Sequence, residues 1–117
     1  MGNRPSSAGY HVGKIKTYLR ERLRHPTRLA EVADFVGLSE EHVARLFKSA
    51  TGLTVFEYVR RLRIAEAKSR LAATDENLSE IARHTGFSSL TVFSRNFTRE
   101  EGVNPSEFRR QIAHQIG

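Results

Sequence analysis

Arg45 and Arg95 sit in two stretches of the same design, and their side chains carry the most specific chemistry the sequence offers. Around Arg45, apolar residues recur at i, i+3 and i+4, and removing the buried set of each stretch leaves two outward sets at helical spacing: Glu41, Ala44, Arg45 and Lys48, then Thr91, Ser94, Arg95 and Thr98. These sets are small or hydrogen-bonding, each built around one arginine. A guanidinium is a planar fork that grips two adjacent acceptors, such as O6 and N7 of guanine, a contact worth about 1 to 3 kcal/mol of discrimination. Glu41 has two readings, a cytosine acceptor or a first-turn acid favoured by the helix dipole, and the second is the expected one. His11, His25, His42, His84 and His114 show no ligand spacing and no paired acid, and the chain has no cysteine. No metal, cofactor or catalytic site is expected.

Bulk properties point the same way. A chain of 117 residues has room for one domain, or for two very small subdomains sharing a connector. Its 38% hydrophobic and 27% charged content is that of a folded chain with a modest core. Net charge is +6 with an isoelectric point near 10.3, so a polyanion is the natural partner. The absence of cysteine fits a reducing compartment, and no run of about 18 apolar residues or signal-peptide core is present. A soluble, cytoplasmic protein with no membrane partner is expected. Met1-Gly2 with Ser6 formally satisfies an N-myristoylation pattern, but residues 1–9 read better as a flexible leader rich in Ser, Gly and Pro. The sequons at Asn77 and Asn96 carry no information without a secretion signal.

The elements that position the two arginines are themselves duplicated. "LAEVADFVGLSEEHVARLFKSATGLTVFEYVRR" (29–61) aligns with "LSEIARHTGFSSLTVFSRNFTREEGVNPSEFRR" (78–110) at an offset of 49, pairing Val32 with Ile81, Gly37 with Gly86 and Ser39 with Ser88. One inserted residue later the offset is 50, pairing Arg45 with Arg95, Phe47 with Phe97 and Gly52 with Gly102. Such a match indicates internal duplication of one supersecondary unit. In the first copy, Leu29, Val32, Ala33 and Val36 form one helical face, Gly37 stands where a left-handed cap belongs, and Ser39 is an N-cap before Glu40 and Glu41. Val43, Leu46, Phe47 and Ala50 form the buried face of the next helix. Helix, glycine turn, helix is the helix-turn-helix signature, whose second helix enters a DNA major groove.

The second copy follows the same rules: Asn77 with Glu80 as a capping box, Gly86 ending the first helix, Ser88 or Ser89 capping the second. Thr54 with Glu57, and Asn104-Pro105 with Glu107, open further helices. The pattern predicts an all-α fold of seven helices at 10–25, 28–36, 40–50, 55–73, 78–85, 89–100 and 105–115. It divides into a leader (1–9), a first helix-turn-helix subdomain (10–53), a linker helix (54–74) and a second subdomain (75–117). Phe47, Tyr58, Phe87, Phe93, Phe97 and Phe108 are expected in the core.

A connector helix of about 19 residues spans about 28 Å, against about 34 Å between successive major-groove faces, so two recognition helices are expected one turn apart on one side of a duplex. A duplicated reader then needs no dimer and no palindrome. Charge tempers the electrostatic case: residues 1–25 hold six basic residues against one acidic, and residues 52–74 five against two, whereas both reader segments are slightly acidic. Phosphate contact is expected from helix N-termini, where Ser39 and Ser89 stand, from Arg60, Arg61 and Arg63, and from the first helix. His42 is expected on the helix surface.

The segments "LAEVADFVGLSEEHVARLFK", "YVRRLRIAEAKSRL" and above all "IARHTGFSSLTVFSRNFTREEGVNPSEFRR" resemble the DNA-binding domain of the AraC/XylS family of bacterial transcription regulators, from about Leu29 to Arg110. The resemblance implies two helix-turn-helix units joined by a long helix, promoter binding in the bacterial nucleoid, and recruitment of RNA polymerase, most often as activation. By position, its base-reading slots fall on Glu41, Ala44 and Arg45, and on Leu90, Thr91, Ser94 and Arg95. Ala44 and Leu90 are shorter or less polar than the strongest readers at those slots, and either touch thymine methyls or contribute little. Asn96 stands where the first copy has Leu46, which implies looser packing of the second unit.

A competing reading keeps the fold but makes the chain a docking module for RNA polymerase, motivated by the acidic balance of the reader segments. An enzyme has no nucleophile, metal set or phosphate loop to support it. Length is compatible with a small stand-alone regulator binding DNA as a monomer, or with a domain cut from a larger one.

Overall fold

The computed structural model describes the backbone of residues 7–116, with the side chains of His114 and Ile116 excepted. The myristoylation pattern and the first six residues of the expected leader lie outside the described residues. Among these residues there are seven helices and no strand: α1 (Ser7–Glu21), α2 (Leu29–Val36), α3 (Glu40–Thr51), α4 (Val55–Ala73), α5 (Leu78–His84), α6 (Leu90–Glu101) and α7 (Pro105–Ile116).

Six of the seven lie within a residue of the sequence expectation. Helix α1 is the exception. It starts at Ser7, inside the expected leader, and stops at Glu21 rather than His25. Its apolar stripe, Val12, Ile15 and Leu19, ends there, and Arg22 to Arg24 form a turn closed by the His25 amide donating to Arg22 at 3.0 Å. Pro26 restricts the residue before it to extended backbone, so the helix had to break ahead of it.

Caps fix the remaining boundaries. Ser39 accepts from the His42 amide at 3.1 Å, and Thr54 and Glu57 exchange a reciprocal pair of bonds, both 3.0 Å. Asn77 and Glu80 form a complete capping box, and Asn104 accepts from the Glu107 amide at 2.8 Å. Of the two candidate serines in the second copy, Ser89 is the cap, accepting from Val92 at 3.1 Å. The capping equivalent of Ser39 is therefore Ser89 rather than Ser88, which puts the inserted residue in the turn. Gly37, with φ of 75°, ends α2 in the left-handed region, where an L side chain is strained.

The chain divides into two compact units between Val59 and Arg60. In the first, Val12, Ile15 and Leu19 of α1, Val32, Ala33 and Val36 of α2, and Val43 and Phe47 of α3 close over Val55 and Val59 from the start of α4. In the second, Ile64, Ala67 and Leu71 of α4 pack with Ile81 and Ala82 of α5 and Phe93 and Phe97 of α6, with Phe87 and Phe108 against them. The expected core aromatics all lie in one of these clusters. Ala50 is a correction: it shares the side of Val43, Leu46 and Phe47, yet it is exposed, because it lies in the last turn of α3.

Helix α4 contributes Val55 and Val59 to the first core and Ile64, Ala67 and Leu71 to the second. Side chains help to satisfy its late carbonyls. Arg70 O accepts the Thr74 amide at 3.0 Å and the Thr74 hydroxyl at 2.7 Å. Leu71 O accepts Arg109 Nε at 3.1 Å.

Candidate nucleic-acid interface

Each reader helix is held by its buried side and by both ends. On α3, Val43 and Phe47 are fully buried, and Tyr58 meets the Phe47 ring edge-on at 5.2 Å. On α6, Phe93 and Phe97 are fully buried and lie in a chain of rings running from Phe87 to Phe108. Gly52 and Gly102 close the two helices in the left-handed conformation, each donating to the carbonyl four residues back. With rotation fixed in this way, the outward set of each helix is determined.

That set in α3 is Glu41, Ala44, Arg45 and Lys48, all exposed, with the Ser39 cap and His42 exposed beside them. In α6, Thr91, Arg95 and Thr98 are exposed, Leu90 is 40% exposed, and Ser89 is an exposed cap. Ser94 departs from expectation. It is only half-buried to solvent view rather than open, because it adjoins Phe93 on the flank of the stripe, about 100° around the helix from Arg95.

Arg45 and Arg95 have no hydrogen-bond, ion-pair or ring partner among the described residues. Most other cations do. Lys48 Nζ donates to Gly52 O at 3.0 Å and lies 4.0 Å from Glu57, so it closes the C-terminal end of its own helix, where a cation is favoured. Arg28 pairs with Glu31 at 3.9 Å, and Arg20 donates to the Tyr58 hydroxyl at 3.4 Å. Of the three α4 arginines expected at phosphates, Arg60 is committed within its unit, its Nε shielded from solvent and 3.5 Å from Glu100. Arg63 is half-buried over the Phe87 ring, and burial lowers its pKa. Of the three, only Arg61 is exposed. Periodicity could not reveal this, because it depends on which acids fold back onto α4.

A second polar cluster went unnoticed in the sequence. Arg70 donates to Glu66 at 3.1 Å and to Glu76 at 2.8 Å, Glu76 also pairs with His84, and Arg109 spans the same loop with bonds to Leu71, Glu76 and Thr74 carbonyls. Hydrogen bonding to Glu76 raises the pKa of Arg70, and the same bond is the main reason Glu76 titrates below the usual carboxylate range. Of these contacts only Glu66 with Arg70 has a local spacing, that of an ordinary i, i+4 pair. This cluster ties down the α4–α5 connection and has no open side chain aimed outward as a reader.

No group of three or more metal-ligating side chains occurs among the described residues, and no helix there is long and apolar enough to cross a membrane.

Known proteins carry the same arrangement. The sequence profile of a helix-turn-helix domain matches residues 32–111. The transcriptional activator RhaR of Escherichia coli K12 is 32% identical over 105 residues, covering 90% of this chain and 37% of RhaR, so the chain spans well under half the length of that relative. The C-terminal domain of AraT, a response regulator from Geobacillus stearothermophilus, superposes with a TM-score of 0.85 at 25% identity, covering 91% of this chain and 88% of that one. The DNA-binding domain of AdpA, solved with a target DNA, shares the fold at a TM-score of 0.84 and 22% identity, over 89% of this chain and 94% of that one. The duplicated capped helices, the matched residues and these likenesses together place the chain in the AraC/XylS-type helix-turn-helix family of transcription regulators, as its DNA-binding domain.

Proposed function

We propose that this chain binds promoter DNA sequence-specifically and as a monomer, with α3 and α6 in successive major-groove segments. Ser39, Glu41, Ala44, Arg45 and Lys48 form the first contact set, and Ser89, Leu90, Thr91, Ser94, Arg95 and Thr98 the second. Arg45 and Arg95 are the base readers, Ala44 and Leu90 touch thymine methyls, and the serine caps lie at phosphates. No chemical step is part of this function. Activation through RNA polymerase, in the bacterial cytoplasm at the nucleoid, is the regulatory outcome proposed for the protein that carries this domain.

One observation supports the reading most: two exposed arginines, at equivalent positions of two capped helices, lack any partner among the described residues. A desolvated or paired guanidinium has already spent its donors, whereas these keep all five. Selection of bound sequences from a randomised duplex pool should yield one site with two short conserved blocks. Arg45→Ala and Arg95→Ala should each weaken binding to that site by about 5- to 150-fold, from the 1 to 3 kcal/mol of a bidentate base contact, with unchanged helicity. If both variants bind the selected site like the parent, α3 and α6 do not read bases.

The docking alternative draws support from Glu40 and Glu41, exposed on the first turn of α3. It expects little salt dependence and no preferred sequence, whereas DNA binding loses affinity steeply as salt rises.

A further inference from the structure

The two readers differ in charge in a way their shared fold does not require. Helix α6 has no acid in its first turn, and its outward stripe continues past Arg95 to Arg99, one turn further on. Residues four apart lie about 40° apart around a helix and about 6 Å along it, so both guanidiniums project from one side. Arg99 is exposed and, like Arg95, has no partner among the described residues. The acids that follow it are both neutralised from α4, Glu100 by Arg60 at 3.5 Å and Glu101 by Lys68 at 3.0 Å. Helix α3 presents the opposite balance. Ser49 stands where Arg99 stands, Glu40 and Glu41 are exposed on the first turn, and Lys48 is turned onto Gly52 O.

We propose that Arg99 is a phosphate contact that extends the second reader along the DNA backbone, making α6 the electrostatic anchor and leaving α3 to act mainly through sequence. The inference rests on the DNA-reading function above. A phosphate contact carries no sequence information, so its loss weakens every duplex alike. Each phosphate neutralised by a cation releases counterions and adds about 0.9 to the slope of log affinity against log salt.

The test uses the full chain, fluorescence anisotropy, the selected duplex and an unrelated duplex of equal length, across a potassium chloride series. Arg99→Gln should weaken both duplexes by the same factor and flatten the slope by about 1. Arg99→Lys, which keeps the charge, should hold the parent slope. Arg45→Ala should weaken the selected duplex and leave the unrelated one near the parent. Arg110→Gln removes an equal charge from α7, where Arg110 pairs with Glu107, and should leave the slope in place. The inference is overturned if Arg99→Gln keeps the parent slope, if its loss is confined to the selected duplex, or if Arg110→Gln flattens the slope equally. An unmoved slope in Arg99→Gln, with specific binding still lost in Arg45→Ala, sinks this inference alone. If neither variant affects binding, the underlying reading fails.

Discussion

Replacing Arg109 with alanine removes three hydrogen bonds from one point of the second unit. The guanidinium donates to Leu71 O at 3.1 Å, Glu76 O at 2.6 Å and Thr74 O at 3.1 Å, and so fastens α7 to the end of α4 and to the loop leading into α5. Bonds from a charged donor are worth about 1.5 to 3 kcal/mol each. Simple addition overstates the total, because Arg109 is partly exposed and the freed carbonyls of the loop can turn to water. Leu71 O is the one held furthest inside, on a helix residue that is 3% exposed. One bond at full value and two at a fraction give a loss of about 2 to 4 kcal/mol for Arg109→Ala. Arg109→Lys has a single ammonium that can satisfy one carbonyl, and should recover about a third of that. Urea denaturation of the full chain followed by circular dichroism measures the loss. Amide exchange of residues 71–81 should accelerate while that of α2 stays at the parent rate. A loss below about 0.5 kcal/mol, the range of ordinary surface changes, would mean the clamp adds nothing to stability.

Two further perturbations follow from local geometry. Gly37→Ala forces a Cβ into the left-handed region at φ of 75°, where the added carbon meets nothing within 4 Å, so the cost is backbone strain alone, about 1 kcal/mol by urea denaturation. Acid denaturation tests Glu76. Its pKa is lowered in the fold, chiefly by the Arg70 bond, so its contribution is complete above the ordinary carboxylate pKa and is lost as pH falls through the depressed folded value. Glu76→Gln should therefore remove part of the acid-side loss of stability and leave the neutral-to-basic limb parallel to the parent; an unchanged acid limb refutes the linkage.

What the sequence disclosed depended on how local each cause was. Caps and turns are set by residues within four positions of one another, so Ser39, Thr54 with Glu57, and Asn77 with Glu80 were all readable. The buried stripes of α2 and α3 were readable too, because their period is unbroken over two turns, and that of α6 followed from the repeat in spite of Asn96. Helix α1 was misplaced because Ser7 to Gly9 look like linker by composition, and only packing of Val12, Ile15 and Leu19 shows where the helix is needed. The reader faces followed from the stripes, with Ser94 at the flank of one stripe and Ala50 at the helix end of the other as the exceptions. The state of each arginine was not readable. Arg60, Arg61 and Arg63 look equivalent along the chain, but Glu100, 40 residues away, pairs with the first, Phe87 underlies the third, and only the second remains open. Arg109 is likewise an anonymous surface cation until α7 brings it to the end of α4.

The duplication also shows how a polar residue enters a slot built for an apolar one. Val36 has Thr85 as its counterpart, and Thr85 is fully buried; Leu46 has Asn96, half-buried. A buried polar group without a partner costs about 1 to 3 kcal/mol, which would make the second unit the weaker copy, as the Asn96 substitution alone suggests. Both side chains avoid that cost in the same manner. The Thr85 hydroxyl donates to Ile81 O at 2.6 Å, and Asn96 Nδ2 donates to Val92 O at 2.8 Å. Each bond reaches four residues back along the chain, to a carbonyl of the adjoining helix turn whose second lone pair is free. No neighbouring helix has to supply a partner, so either change can arise singly without a compensating one. Polarity at the core edge is therefore compatible with a firmly packed second unit, and the two readers can diverge in outward chemistry while their supports stay interchangeable.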